Sequence, residues 1–252
     1  MHVKRMIRLL LLLTLLAPLA VADDAYDGLE KAWTKARTDW SALRKQSAGN
    51  LESLPPYPAI EYMQRFRAYA EQHAGTAEAL PALLWLIREG DSVAKDAPDY
   101  PVVWALEQIS KNHTQDPRIA DDLRLLRYYV ESVPWETVRP FYEQIVKGNP
   151  DRSAGAWAKY NLVHHDYENA QAADSSGQSP ELKPVLESLR AIAKDYDGTD
   201  PAKYAASLVY EIEHLQVGMK APEIIGPDAA GNEIKLSQFR GKVVALAFWG
   251  YW

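Results

Sequence analysis

The chain has 252 residues, no cysteine and a formal net charge of −6. That length, with a hydrophobic share of 47%, permits one large domain or two modest ones with a buried core. The acid surplus leaves no electrostatic footprint for nucleic acid or anionic lipid headgroups, and the missing cysteines exclude a disulfide staple.

Residues 1–22 read as a cleaved secretory signal. Lys4, Arg5 and Arg8 give a positive start, Leu9 to Leu16 form an apolar run broken only by Thr14, and Ala20-Val21-Ala22 supplies the small-x-small cleavage pattern. Cleavage is expected between Ala22 and Asp23. The run is short for a stable membrane span, although an uncleaved anchor is the alternative. Removing these residues takes away three cations and no acids, so the net charge falls from −6 to −9. The expected location is secreted or periplasmic, with no membrane association after cleavage.

Residues 23–58 read as a helix and a proline-rich linker. Tyr26, Leu29, Trp33, Ala36, Trp40 and Leu43 mark one helical face, which Gly49-Asn50 and then Pro55, Pro56 and Pro58 interrupt. Residues 59–215 read as an α-helical repeat-like domain, since apolar residues recur at spacings of three and four and β-branched alternation is scarce. Four helix–turn–helix units follow one another. Phe66–His73 leads through Gly75 into Ala77–Ile87, and Leu106–Lys111 through Asp116-Pro117 into Ile119–Val130. Phe141–Val146 leads through Asn149-Pro150 into Ala154–His165, and Leu189–Lys194 through Gly198 and Asp200-Pro201 into Ala202–Leu215. Asp or Asn before Pro suits a turn that opens a helix, because Pro fits the first helical position. The spacing is that of an irregular helical-hairpin array and resembles tetratricopeptide packing without its consensus. Ala172–Ser179 reads as an exposed loop between units.

The texture changes at Gln216. Pro222, Gly226, Pro227 and Gly231 arrive close together, and Glu233-Ile234-Lys235-Leu236 alternates as a half-exposed strand does. Ser237 is placed to cap a short helical turn through Phe239, which Gly241 ends. Val243 to Phe248 is a continuous apolar run, expected to form a strand buried on both faces of a sheet. A domain boundary is expected near Leu215.

Val217–Glu223, the Asp228–Asn232 turn, Leu236–Val244 and Phe248-Trp249-Gly250-Tyr251-Trp252 fall in order at suitable spacing. Together they resemble the opening of the redoxin superfamily, the alkyl hydroperoxide reductase and thiol-specific antioxidant family with the related periplasmic thiol-disulfide oxidoreductases of the TlpA type. The resemblance implies that residues 216–252 are the first part of a thioredoxin-like α/β domain. It also implies that Phe248, Trp249, Gly250, Tyr251 and Trp252 flank an active site whose Cys-x-x-Cys pair opens the next helix. A helix N-terminus would lower the pKa of such a thiol. Trp249 and Trp252 around Gly250-Tyr251 look more like the dithiol branch than the peroxidatic one, so disulfide exchange is favoured over peroxide reduction.

No catalytic residue is therefore expected within the chain, the redox cysteine or selenocysteine being expected directly after Trp252. A fragment, a nonsense stop and a UGA selenocysteine codon all remain open as reasons. The last is adopted as the expectation, because a selenol ionises without the help a thiol needs. The functional reading is an exported thiol- or selenol-disulfide oxidoreductase or antioxidant, inactive as this chain, with a thiol/disulfide protein or peroxide as substrate and a protein partner for the helices. The alternative is a non-enzymatic helical interaction module with a vestigial redoxin start. No cofactor is implied.

Other constellations favour plain structural roles. His164 and His165, with Asp166 and Glu168, point apart around a helix and do not converge as metal ligands at i and i+4 do. His73, His113 and His214 lack ligand partners at useful spacing, so no metal site is expected. Asn112-His113-Thr114 fits a glycosylation sequon, which has meaning only in a eukaryotic secretory route. Trp85, Trp104, Trp135 and Trp157 sit at helical spacings and read as interhelix core.

Overall fold

The computed structural model describes residues 26–47, 50, 54–90, 100–175 and 182–250. The proposed signal with Ala22 and Asp23, and the terminal Tyr251 and Trp252, lie outside the described residues. The fold is mainly α. Its helices are α1 (Tyr26–Gln46), α2 (Ala59–Gln72), α3 (Ala79–Gly90), α4 (Pro101–Asn112), α5 (Ala120–Tyr129), α6 (Trp135–Gly148), α7 (Arg152–Ser175), α8 (Lys183–Asp195) and α9 (Asp200–His214). Two short strands follow, β1 (Ile225–Pro227) and β2 (Glu233–Lys235), and then a 3₁₀ turn at Leu236–Phe239. Among the described residues no helix is long and apolar enough to cross a membrane.

Several helix starts have identifiable local causes. Pro101 opens α4 at a position where its missing N–H costs nothing. The Asp151 carboxylate accepts the Ala154 N–H at 2.7 Å to cap α7, and Thr199 caps α9 by accepting the Ala202 N–H. Gly75 and Gly198, at φ 78° and 84°, take the left-handed turns between paired helices.

The chain divides into two compact units, one of residues up to Asp116 with 125–141, the other of 117–124 with residues from 142 onward. In the first, α1 packs on α2, α2 on α3 and α3 on α4. Its centre is aromatic. Phe66 stacks on Trp85 at 3.8 Å between ring centroids and 13° between planes, while Trp33 meets Trp85 edge-on at 5.1 Å. The stripe on α1 is buried only at Leu29 and Trp33, so Leu43, at 46% exposure, lies beyond the packed part of that face. In the second unit α7, α8 and α9 pack pairwise around Trp157, Tyr160 and Tyr204, whose rings lie 5.2–6.1 Å apart. Asn161, 3% exposed, donates from Nδ2 to the Leu123 carbonyl at 2.9 Å, while its buried Oδ1 accepts no hydrogen bond.

Four expectations need correction. Helix α7 runs to Ser175, so Ala172 to Ser175 are helical and not loop; the run Gln171-Ala172-Ala173 has no breaker that stops a helix. Ser176 to Ser179 lie outside the described residues. Ser237 does not cap its turn: the cap position is Lys235, and Ser237 lies inside the turn. Val243 to Phe248 forms no strand, because no neighbour among the described residues offers it hydrogen bonds. Lastly, Trp85 and Trp157 are core, but Trp104 and Trp135 are only half-buried, and Arg67 covers the Trp104 ring at 4.5 Å.

Gly90, at the end of α3, leaves room for Val102 of α4. A Cβ there would stand 2.4 Å from Val102 Cγ2, a branched side chain with no freedom to retreat. Gly90→Ala is expected to destabilise by about 1–3 kcal/mol, read as a lower midpoint in thermal circular dichroism. An unchanged midpoint would show that the two helices part at no cost.

Candidate functional site

The segment that carries the redoxin-like motifs begins where burial stops. Ile212 on α9 is the last buried residue among those described, and every described residue from Glu213 to Gly250 is exposed or half-exposed. Strands β1 and β2 pair antiparallel with Gly226 opposite Ile234. The connecting turn is built on Asp228, whose carboxylate accepts the N–H groups of Ala230 and Asn232, each at 2.8 Å. Gly231, at φ 86°, supplies the left-handed residue the turn needs.

A second carboxylate ties the hairpin to the 3₁₀ turn. Glu223 Oε1 accepts the Ser237 N–H at 2.9 Å, the Leu236 N–H donates to the Ile224 carbonyl at 2.9 Å, and Gln238 Oε1 accepts the Lys235 N–H at 3.2 Å. Hydrogen bonds to the ionised form lower a carboxyl pKa. Ser237 holds Glu223 below its usual range, helped by the Ile224 N–H and the charge of Arg240. Asn232 does the same for Asp228, with Ala230 and Gly231 assisting.

The approach residues do not converge on a site. Phe248 is 90% exposed and Trp249 80% exposed, and Gly250 is half-exposed. Val243, at 102%, is fully in solvent. With no cysteine in the chain, no thiol stands beside them. What the segment provides is an unpaired apolar stretch next to a small folded hairpin. The Glu223 clamp was not legible in the sequence, since its partner lies 14 residues away with no periodicity to announce it.

The histidines occupy ordinary structural positions. His164 Nδ1 lies 3.4 Å from Glu168 Oε1, and the His164 ring is 5.6 Å from Tyr160. His73 faces Glu78 at 2.8 Å, and the His214 ring lies 4.7 Å from Tyr210. His113 is buried at 5% exposure, which its isolated place in the sequence did not indicate. Among the described residues no group of three or more His, Asp or Glu side chains is arranged to hold a metal ion.

Comparison with known proteins finds a short, partial likeness. The chain is similar to the thiol-disulfide oxidoreductase ResA of Bacillus thuringiensis subsp. konkukian and to that of Bacillus cereus. Each is 42% identical over 40 residues, which is 16% of this chain and 23% of the relative. The chain therefore spans less than a quarter of the length of these relatives. No protein-family profile matches, and no solved structure matches.

Acid should release the clamp. A carboxylate with a lowered folded pKa stabilises above its unfolded value, near 4 for both residue types, and that stability is lost as pH falls through the folded value. The amide resonance of Ser237 is expected to titrate with a midpoint below that of a free glutamate. A midpoint at or above the free value would show that Glu223 does not hold the turn.

Proposed function

We propose that residues 216–252 are the opening of a thioredoxin-like domain of a thiol-disulfide oxidoreductase, joined near Leu215 to the helical region. The observation that carries this reading is the 42% identity over 40 residues to the two ResA proteins. The order of motifs from Val217 to Trp252 is consistent with it. In this reading the complete protein exchanges disulfides with thiol proteins outside the cytoplasm, where the apolar start of residues 1–22 directs it. Phe248 to Trp252 then form the approach to the redox residue, and the Val243–Phe248 run becomes a central strand once its neighbours pair with it. The 252-residue chain, lacking cysteine, does not itself reduce disulfides. The helices, in a tetratricopeptide-like arrangement, present a surface for a protein partner.

One observation favours a second reading. No described residue after Ile212 is buried, so the buried core of the helices lies apart from the C-terminal segment, and the helices can serve by themselves as an interaction module.

A chimera separates the readings. Residues 216–252 replace the matching opening of the Bacillus cereus ResA protein, and reduction of insulin disulfides is measured. A folded, active chimera supports the redoxin reading. An inactive chimera beside an active parent favours the interaction module.

Deleting residues 216–252 is expected to raise the soluble yield severalfold, because Val243, Leu246, Phe248 and Trp249 form an exposed apolar run with unpaired backbone. An unchanged or lower yield would contradict this.

A further inference from the structure

The last turn of α9 and the segment after it border an open cleft of about 850 Å³, within the size range of small-molecule sites. Its wall combines two kinds of surface. Tyr210, His214 and Phe239 present rings, and Lys220, Arg240 and Lys242 present cationic heads. Two carboxylates also reach the cleft, and each already has a partner. Glu213 accepts from Arg190, and Glu223 is held by the Ser237 N–H at 2.9 Å with Arg240 close enough to favour its charge. Among the described residues Lys220 and Lys242 enter no ion pair. The cleft therefore holds positive charge beyond what its own acids neutralise, beside an aromatic wall, in a protein that is acidic as a whole.

A surplus of one sign of charge lining a cleft focuses the field there and raises the local concentration of ligands of the opposite sign. A ligand that satisfies both kinds of wall carries an anionic group on a flat apolar body. The anion meets ammonium and guanidinium donors in charge-assisted hydrogen bonds, and the body covers ring faces that water otherwise wets. We propose that this cleft binds small aromatic anions, with Lys220, Arg240 and Lys242 taking the carboxylate or phosphate and Tyr210, His214 and Phe239 taking the ring. Thiol or selenol chemistry plays no part in this binding, so it stands or falls apart from the redox reading.

The test is calorimetric titration of the 252-residue protein with 1-naphthyl phosphate at low ionic strength, with neutral 1-naphthol as the comparison probe. The phosphate is expected to bind at least about tenfold more tightly than the naphthol, and more weakly as salt rises. Combined Lys220→Glu and Arg240→Glu should cost about tenfold in affinity with an unchanged helical circular dichroism spectrum. The charge-preserving pair Lys220→Arg and Arg240→Lys should bind like the parent and so controls for folding. Absence of binding to the parent, equal affinity for the two probes, or parental affinity in the folded charge-reversed variant would each overturn the proposal.

Discussion

Among the described residues the backbone of Val243 to Phe248 has no hydrogen-bond neighbour, and that constraint divides the chain into a part that folds on its own terms and a part that does not. An α-helix satisfies its N–H and C=O groups from within, so each helix from α1 to α9 asks only that its apolar stripe be covered. A central strand asks for two neighbouring strands and a cover on each face. The helices find what they need: Phe66, Leu80, Ile109, Tyr142, Leu189 and Ala205 are all essentially inaccessible. The C-terminal segment finds the pairing of β1 with β2, the two carboxylate clamps and a few local turn hydrogen bonds. Its organisation is local and polar, which explains how it keeps a defined hairpin while burying no residue.

The same constraint links structure to function. A redox strand in a thioredoxin-like fold is useful because its neighbours fix it rigidly, so that the group at its end meets the next helix N-terminus. In the redoxin reading proposed above, Phe248 and Trp249 take that place; here they stand in solvent, 90% and 80% exposed, with no sheet among the described residues to orient them. The exposure of this stretch and its lack of neighbours among the described residues are thus two sides of one arrangement.

Much of the fold was legible in the sequence where the signal is periodic and local. Spacings of three and four located helices α2 to α9, although of the expected pairs only α2 with α3 and α8 with α9 pack closely on each other. Asn149-Pro150 and Asp200-Pro201 marked the turns before α7 and α9, while the capping residues Asp151 and Thr199 came from the structure. Long-range matters were not legible. Nothing near Gly90 says that Val102 will press against it, and nothing near Glu223 says that it will reach Ser237. The aromatic residues showed the limit of a periodic argument, since Trp85 and Trp104 share helical spacing but only Trp85 lies under a stacked ring. Of the candidate site, the motif order was readable and the cleft beside α9 was not, because its cations come from positions scattered over Lys220 to Lys242.

Amide hydrogen exchange on the full chain tests the central claim most directly, since protection reports which backbone groups are held by structure that opens rarely. Amides of α2, α3, α8 and α9 should be strongly protected, while those of residues 243–249 exchange at the rate of an unstructured peptide. Protection in 243–249 comparable to that in the helices would mean that the stretch is already paired, and would contradict the account.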